Sequence, residues 1–223
     1  MAPRSRARRA PAGLAAAVVL VAAGLADTAA RAAAPGVSAA SAAVAADVVV
    51  PALDGTPRAP LAPAEPGTAS VLLFVMTDCP ISNRFAPEVQ RIHEAFGDRA
   101  AFWLVYVDAD RPVDDLREHR ASFGYPFEAV RDVAGRLAAT AGATVTPEVA
   151  VYDGGRRLVY RGRIDDRFVS FGVARAAPTT RDLHGVLARL AAGESPPFLE
   201  TRAIGCYIPG SSSKDPVSGG SRQ

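Results

Sequence analysis

The sequence predicts an α/β domain, a central mixed sheet with helices on both faces, extended by an N-terminal hairpin and a C-terminal arm. Three observations lead there. The runs Ala69–Met76 and Ala101–Val107 are almost continuously apolar, as strands buried on both faces are. Between them, Asn83–Phe96 sets Phe85, Val89, Ile92 and Phe96 on one helical face. Further on, Glu148–Tyr152 and Leu158–Arg161 flank the turn Asp153-Gly154-Gly155, the pattern of a β-hairpin. Strand–helix–strand implies a parallel pair joined by a right-handed crossover, and the hairpin adds antiparallel neighbours.

The elements follow in order from the N-terminus. Arg4, Arg6, Arg8 and Arg9 precede an uncharged stretch, Ala10–Ala26, and then the small-residue site Ala30-Arg31-Ala32. A basic region, a short apolar region and such a site together predict a secretory signal peptide over 1–32. The apolar segment is short for a span of ~20 residues, so the membrane alternative is an uncleaved N-terminal anchor. Arg8-Arg9 also raises a twin-arginine export route. Residues 33–65 are rich in Ala and Pro, with a turn at Asp54-Gly55, and read as a linker and N-terminal hairpin.

Past the first strand, helix and second strand, Asp114–Phe123 predicts a helix, Phe127–Val130 a short strand, and Val133–Ala141 a helix closed by Gly142. After the hairpin, Thr180–Ala192 has Leu183, Val186, Leu187 and Leu190 on one side, with Thr179 or Thr180 as cap. The main domain is therefore expected over 66–192. Residues 193–210, with the apolar patch Ile204-Gly205-Cys206-Tyr207-Ile208 after Pro196-Pro197, read as a docking arm. The stretch 211–223 is polar and is expected to be disordered.

Charge narrows the function. The chain has 25 basic and 23 acidic residues, but five arginines and one aspartate fall in the expected leader, so the remainder is slightly acidic. No basic stripe points to nucleic acid. Export to the periplasm or beyond puts the two cysteines where disulfides form. Cys79 stands where the first strand stops, in Thr77-Asp78-Cys79-Pro80-Ile81-Ser82, at the start of a helix. Free N–H groups and the dipole there favour a thiolate, the nucleophilic form, while Asp78 opposes it by like charge. A small core residue and half of a structural disulfide are the competing readings of Cys79.

A strand, a Cys-x-x-Ser at a helix start, and Thr146-Pro147 before a hairpin and closing helix resemble the thioredoxin-like superfamily. Within it, the chain is similar to the exported redoxin group, which includes AhpC-TSA-like (peroxiredoxin-like) proteins and periplasmic thiol–disulfide oxidoreductases. Pro51-Ala52-Leu53-Asp54-Gly55 is similar to the N-terminal hairpin of those proteins. The resemblance implies a redox-active, antioxidant-type protein acting on protein thiols or disulfides without a cofactor. It places Cys79 as the attacking cysteine and Ser82 where a second cysteine usually stands. Pro147 takes the cis-proline position, with the Thr146 backbone free to pair with an extended substrate, and Pro80 and Ser82 join them as substrate contacts.

Ser82 cannot release a mixed disulfide, so resolution falls to Cys206 or to an outside thiol. A permanent Cys79–Cys206 staple and two unrelated thiols remain open at this point. Peroxiredoxins carry Pro-x-x-x-Thr-x-x-Cys, which Leu72, Leu73 and Thr77 do not reproduce, so peroxidase activity ranks below thiol–disulfide exchange. A copper-handling or partner-binding module is the reading of another class, since soft thiolates suit Cu(I). No metal ligand set is assigned. His93, His119 and His184 read as core or solvated, Trp103 as core, and Asp165-Asp166 among Arg161, Arg163 and Arg167 as a solvated rim; Glu88 and Asp78 flank the cysteine helix.

Overall fold

A computed structural model describes residues 47–62, 65 and 67–211. The expected signal peptide, the first part of the linker and the tail from 212 onward lie outside the described residues. The chain enters through a small antiparallel hairpin, β1 (Val50–Pro51) and β2 (Pro57–Arg58). Asp54 accepts the Thr56 N–H at 2.9 Å to hold its turn.

The apolar run forms β3 (Gly67–Val75), and α1 (Pro80–Phe96) leads to β4 (Ala100–Tyr106). Next come α2 (Val113–Ser122), β5 (Glu128–Arg131) and α3 (Arg136–Ala141). The two-residue strand β6 (Val145–Thr146) precedes the hairpin strands β7 (Glu148–Gly154) and β8 (Leu158–Gly162). A minor hairpin, β9 (Phe168–Ser170) and β10 (Val173–Ala174), then leads to α4 (Asp182–Ala191). The arm contributes β11 (Leu199–Glu200) and β12 (Cys206–Tyr207).

The main sheet has the order β11-β8-β7-β3-β4-β5. β3, β4 and β5 run parallel, while β7 is antiparallel to both β3 and β8. This is a mixed sheet of thioredoxin-like fold, with β3 central and α1 springing from its C-terminal end. Alternate residues feed two cores. Val71, Leu73 and Val75 face α1 and α4, meeting Phe85, Val89, Ile92, Leu183 and Leu187. Leu72 and Phe74 face α3, meeting Leu137, Ala138 and Ala141. Helices therefore cover both faces.

Three helices start two or three residues away from expectation, each for a local reason. α1 begins at Pro80, three residues before Asn83, because proline's fixed φ and missing N–H suit the first helical position. α3 begins at Arg136 rather than Val133: the buried Asp132 carboxylate accepts Leu137 N–H at 3.1 Å and Ala138 N–H at 2.8 Å, taking over the role of a cap. α4 begins at Asp182 because Asp166 holds the Thr179 and Thr180 N–H groups outside the helix, at 2.7 and 2.9 Å. β6, β9, β10, β11 and β12 are too short to leave a periodic signal.

The arm is docked through two short strand pairings. β11 adds to β8 in parallel, and β12 pairs antiparallel with β6. Ile204 and Cys206 pack on the α1 side, whereas Ile208 is buried in the α3 side. Ser211, at the expected start of the polar tail, still donates through Oγ to Ile208 O at 2.8 Å.

Candidate functional site

The start of α1 at Pro80 makes Cys79 the N-cap residue, with extended backbone (φ −80°, ψ 107°), four residues past the end of β3. Cys79 has no exposed surface. Its thiol donates to the Thr146 carbonyl at 3.0 Å. The Thr146–Pro147 bond is cis, and both residues are buried beside Cys79. Two segments 67 residues apart thus meet at one sulfur.

A third segment covers them. Cys206 lies directly opposite Thr146, and Tyr207 opposite Val145, in the β12–β6 pair. Gly205 makes this approach feasible, since a Cβ there would overlap the Thr146 carbonyl oxygen and lie 3.2 Å from Pro147 N. The expectation of a free Thr146 backbone is corrected here: the chain's own arm occupies that edge. Pro80 is exposed, and Ser82, one helical turn on from Cys79, is buried.

The two thiols have opposite acidities. Burial pushes the Cys79 thiol up, but hydrogen bonds to its thiolate from the Cys206 thiol, the Ser82 hydroxyl and the Ser82 N–H outweigh this and hold it below the ordinary value. Ser82 is the third residue of α1, where a free N–H faces the cap. Its Oγ is buried without a hydrogen-bond partner, a donor available to a thiolate at Cys79. Cys206 is half-buried, and its thiol is pushed up to about 12 by burial, by its bond to Cys79 and by the Cys79 charge. Asp78, expected to oppose Cys79 ionisation, instead adds to the charge facing Cys206 and pairs with Arg111 at 3.6 Å. One proton therefore sits on Cys206 while Cys79 ionises.

A set of residues that the sequence reading did not assign to the site fixes the loop before Cys79. Asp108, at the end of β4, accepts the Thr77 N–H at 2.7 Å. Asn83 donates through Nδ2 to Thr77 O at 3.0 Å, so its Oδ1 is free to accept from His119 Nε2 at 2.8 Å. His119 Nδ1 then accepts from Tyr106 Oη at 2.8 Å. Burial lowers the His119 pKa, in keeping with a neutral ring carrying its proton on Nε2. On the other side, Glu148 accepts the Thr144 and Val145 N–H groups at 2.8 and 3.3 Å, and it is itself pushed up by burial. It holds the bend that presents the Thr146 carbonyl.

The remaining candidates lie elsewhere. His93 packs between Phe102 and Phe127, and His184 is exposed against Phe96. Trp103 is partly buried at the α3-side core. The expected rim at Asp165-Asp166 is corrected: these carboxylates are only 2% and 5% exposed. Asp166 ties down the segment before α4 and is held at about 2 by its bonds to Thr179 and Thr180, and Arg175 pairs with it. Glu88 is 2% exposed and takes Arg91 and Arg181 as partners. This cluster packs α1 against the β8–α4 connection. Among the described residues, no three His, Cys, Asp or Glu side chains gather as metal ligands do, and no helix is long and apolar enough to cross a membrane.

No protein-family model matches the sequence, and no curated protein does. Solved structures match in fold. A hypothetical protein from Sinorhizobium meliloti superposes with a TM-score of 0.60 at 23% identity, covering 77% of this chain and 95% of that one. An uncharacterized conserved protein from Geobacillus kaustophilus gives 0.62 at 21% identity, covering 77% and 93%. A secreted disulfide oxidoreductase of Mycobacterium tuberculosis gives 0.46 at 18% identity, covering 66% and 96%.

Proposed function

We propose that this chain is an exported thiol–disulfide oxidoreductase whose redox pair is Cys79 and Cys206, joined from opposite ends of the fold. The observation that carries the reading is the convergence on Thr146: its carbonyl accepts from Cys79 Sγ at 3.0 Å, and Cys206 faces it across the β12–β6 pair. Cys79 supplies a stabilised thiolate, and Cys206 supplies the second sulfur that Ser82 cannot. Two electrons leave this dithiol as the Cys79–Cys206 disulfide forms and return as it is reduced, with protein thiols or disulfides as partners and no cofactor. The basic and apolar pattern of residues 1–32 supports export to a compartment in which such a pair can cycle.

Catalysed thiol–disulfide exchange with a disulfide-bonded protein such as insulin tests the proposal. The wild type is expected to accelerate it, and Cys79→Ser to lose the acceleration. Equal rates for the two proteins would refute it. Metal analysis of reduced protein addresses the Cu(I) reading: a stoichiometric metal lost in Cys79→Ser would favour a copper-handling module instead.

A further inference from the structure

Thiol–disulfide exchange is an in-line displacement: the attacking sulfur, the attacked sulfur and the leaving sulfur line up. In a Cys79–Cys206 disulfide, attack on Cys79 has to come from the side opposite Cys206. That side is the protein interior, where Cys79 belongs to the packed core with Ile81 and Phe85, and Ser82, one helical turn on, is buried. Attack on Cys206 comes from the side opposite Cys79, away from the core. Cys206 itself is only half-buried, whereas Cys79 has no exposed surface.

We infer that external thiols reach this disulfide through Cys206, with Cys79 as the leaving group. The inference rests on the redox pair proposed above and assigns its order of events. The donor thiolate bonds to Cys206 Sγ as the Cys206–Cys79 bond breaks, and the electron pair of that bond stays on Cys79. The Ser82 N–H and hydroxyl receive this charge. A second thiolate of the same dithiol donor then attacks the donor sulfur, which releases the donor as a disulfide and Cys206 as a thiolate. Cys206 takes one of the donor's two protons and the other goes to solvent. The donor is oxidised by two electrons and the pair is reduced by two. The buried cysteine at the helix start is thus the electron store, and the arm cysteine is the contact with the partner.

A single-thiol probe separates the two sulfurs. Oxidised full-length protein is exposed briefly to glutathione, quenched with acid, alkylated under denaturing conditions and mapped by non-reducing mass spectrometry. The expected result is glutathione on Cys206 and alkyl on Cys79, exceeding the reverse product roughly tenfold or more, since attack is selective for the accessible sulfur and the better leaving group. Glutathione mainly on Cys79 overturns this order while leaving the redox pair intact. Alkyl on both cysteines before glutathione is added means that no disulfide formed, and then the redox pair itself falls. In Ser82→Ala, glutathione attack is expected to slow with the same site preference; a switch to Cys79 counts against the inference.

Discussion

Gly205→Ala probes the arm directly. The new Cβ would overlap the Thr146 carbonyl oxygen and lie 2.6 Å from its carbon and 3.2 Å from Pro147 N. All three are backbone atoms of a segment anchored by Glu148 and by β7, so the arm has to move. Moving it breaks the two-residue pairing of Cys206 and Tyr207 with Thr146 and Val145. At ~1 kcal/mol net per backbone hydrogen bond, with some loss of packing, the arm is weakened by about 2–3 kcal/mol. Tenfold per 1.4 kcal/mol makes that roughly a 30- to 150-fold rise in the open population. In the reduced wild type Cys79 is shielded by burial and Cys206 by its high pKa, so both should alkylate slowly near neutral pH. The variant should alkylate at Cys79 faster by that factor, as followed by mass spectrometry, while the core sheet keeps its far-ultraviolet dichroism. An unchanged Cys79 rate would refute the claim that the arm closes the site.

The other predictions concern charge. Ser82→Ala removes a hydroxyl donor to the thiolate, so the pH midpoint of Cys79 alkylation, measured in the Gly205→Ala background, should move up; an unmoved midpoint would leave the buried hydroxyl without a role. His119 is held below its unfolded value of ~6.5, so the stability of its neutral network is full above that pH and is lost as the pH falls toward the lowered value. His119→Gln should therefore flatten the loss of thermal stability between neutral and acid pH, and an unaltered slope counts against the network. Asp166, depressed to about 2, stabilises the fold above its unfolded value of ~3.9, and this contribution is lost as the pH drops through about 2. Asp166→Asn should melt earlier at neutral pH and converge with the wild type in strong acid; equal melting at neutral pH would contradict the anchoring role.

The parts of this molecule that were legible in the sequence are those set by local pattern. The apolar runs at β3 and β4 and the one-sided spacing of α1 and α4 announced a layered α/β sheet, because burial on both faces suppresses alternation. Cys79 was visible as a thiol at a strand end, and Ile204 and Ile208 marked the arm as something that docks. Where the arm docks was not legible. It depends on a two-residue pairing and on the absence of one Cβ at Gly205, neither of which has a periodic signature. The supports of the site were hidden for a similar reason. Tyr106 and Asp108 at the end of β4, Asn83 in α1 and His119 in α2 come from three separate elements and meet only once the sheet and helices are packed. Asp165 and Asp166 resembled a solvated rim because Arg161, Arg163 and Arg167 surround them in sequence, yet of these only Arg167 partners Asp165, while Arg175 and the Thr179 and Thr180 backbone hold Asp166 in its buried place.

Cys79 and Cys206 are proposed to form one redox pair. Mild oxidation of dilute full-length protein, followed by non-reducing peptide mapping, tests that most directly. The structure predicts a single intramolecular Cys79–Cys206 disulfide whose rate of formation does not depend on protein concentration. Two free thiols after oxidation, or a disulfide that links two chains, would contradict it.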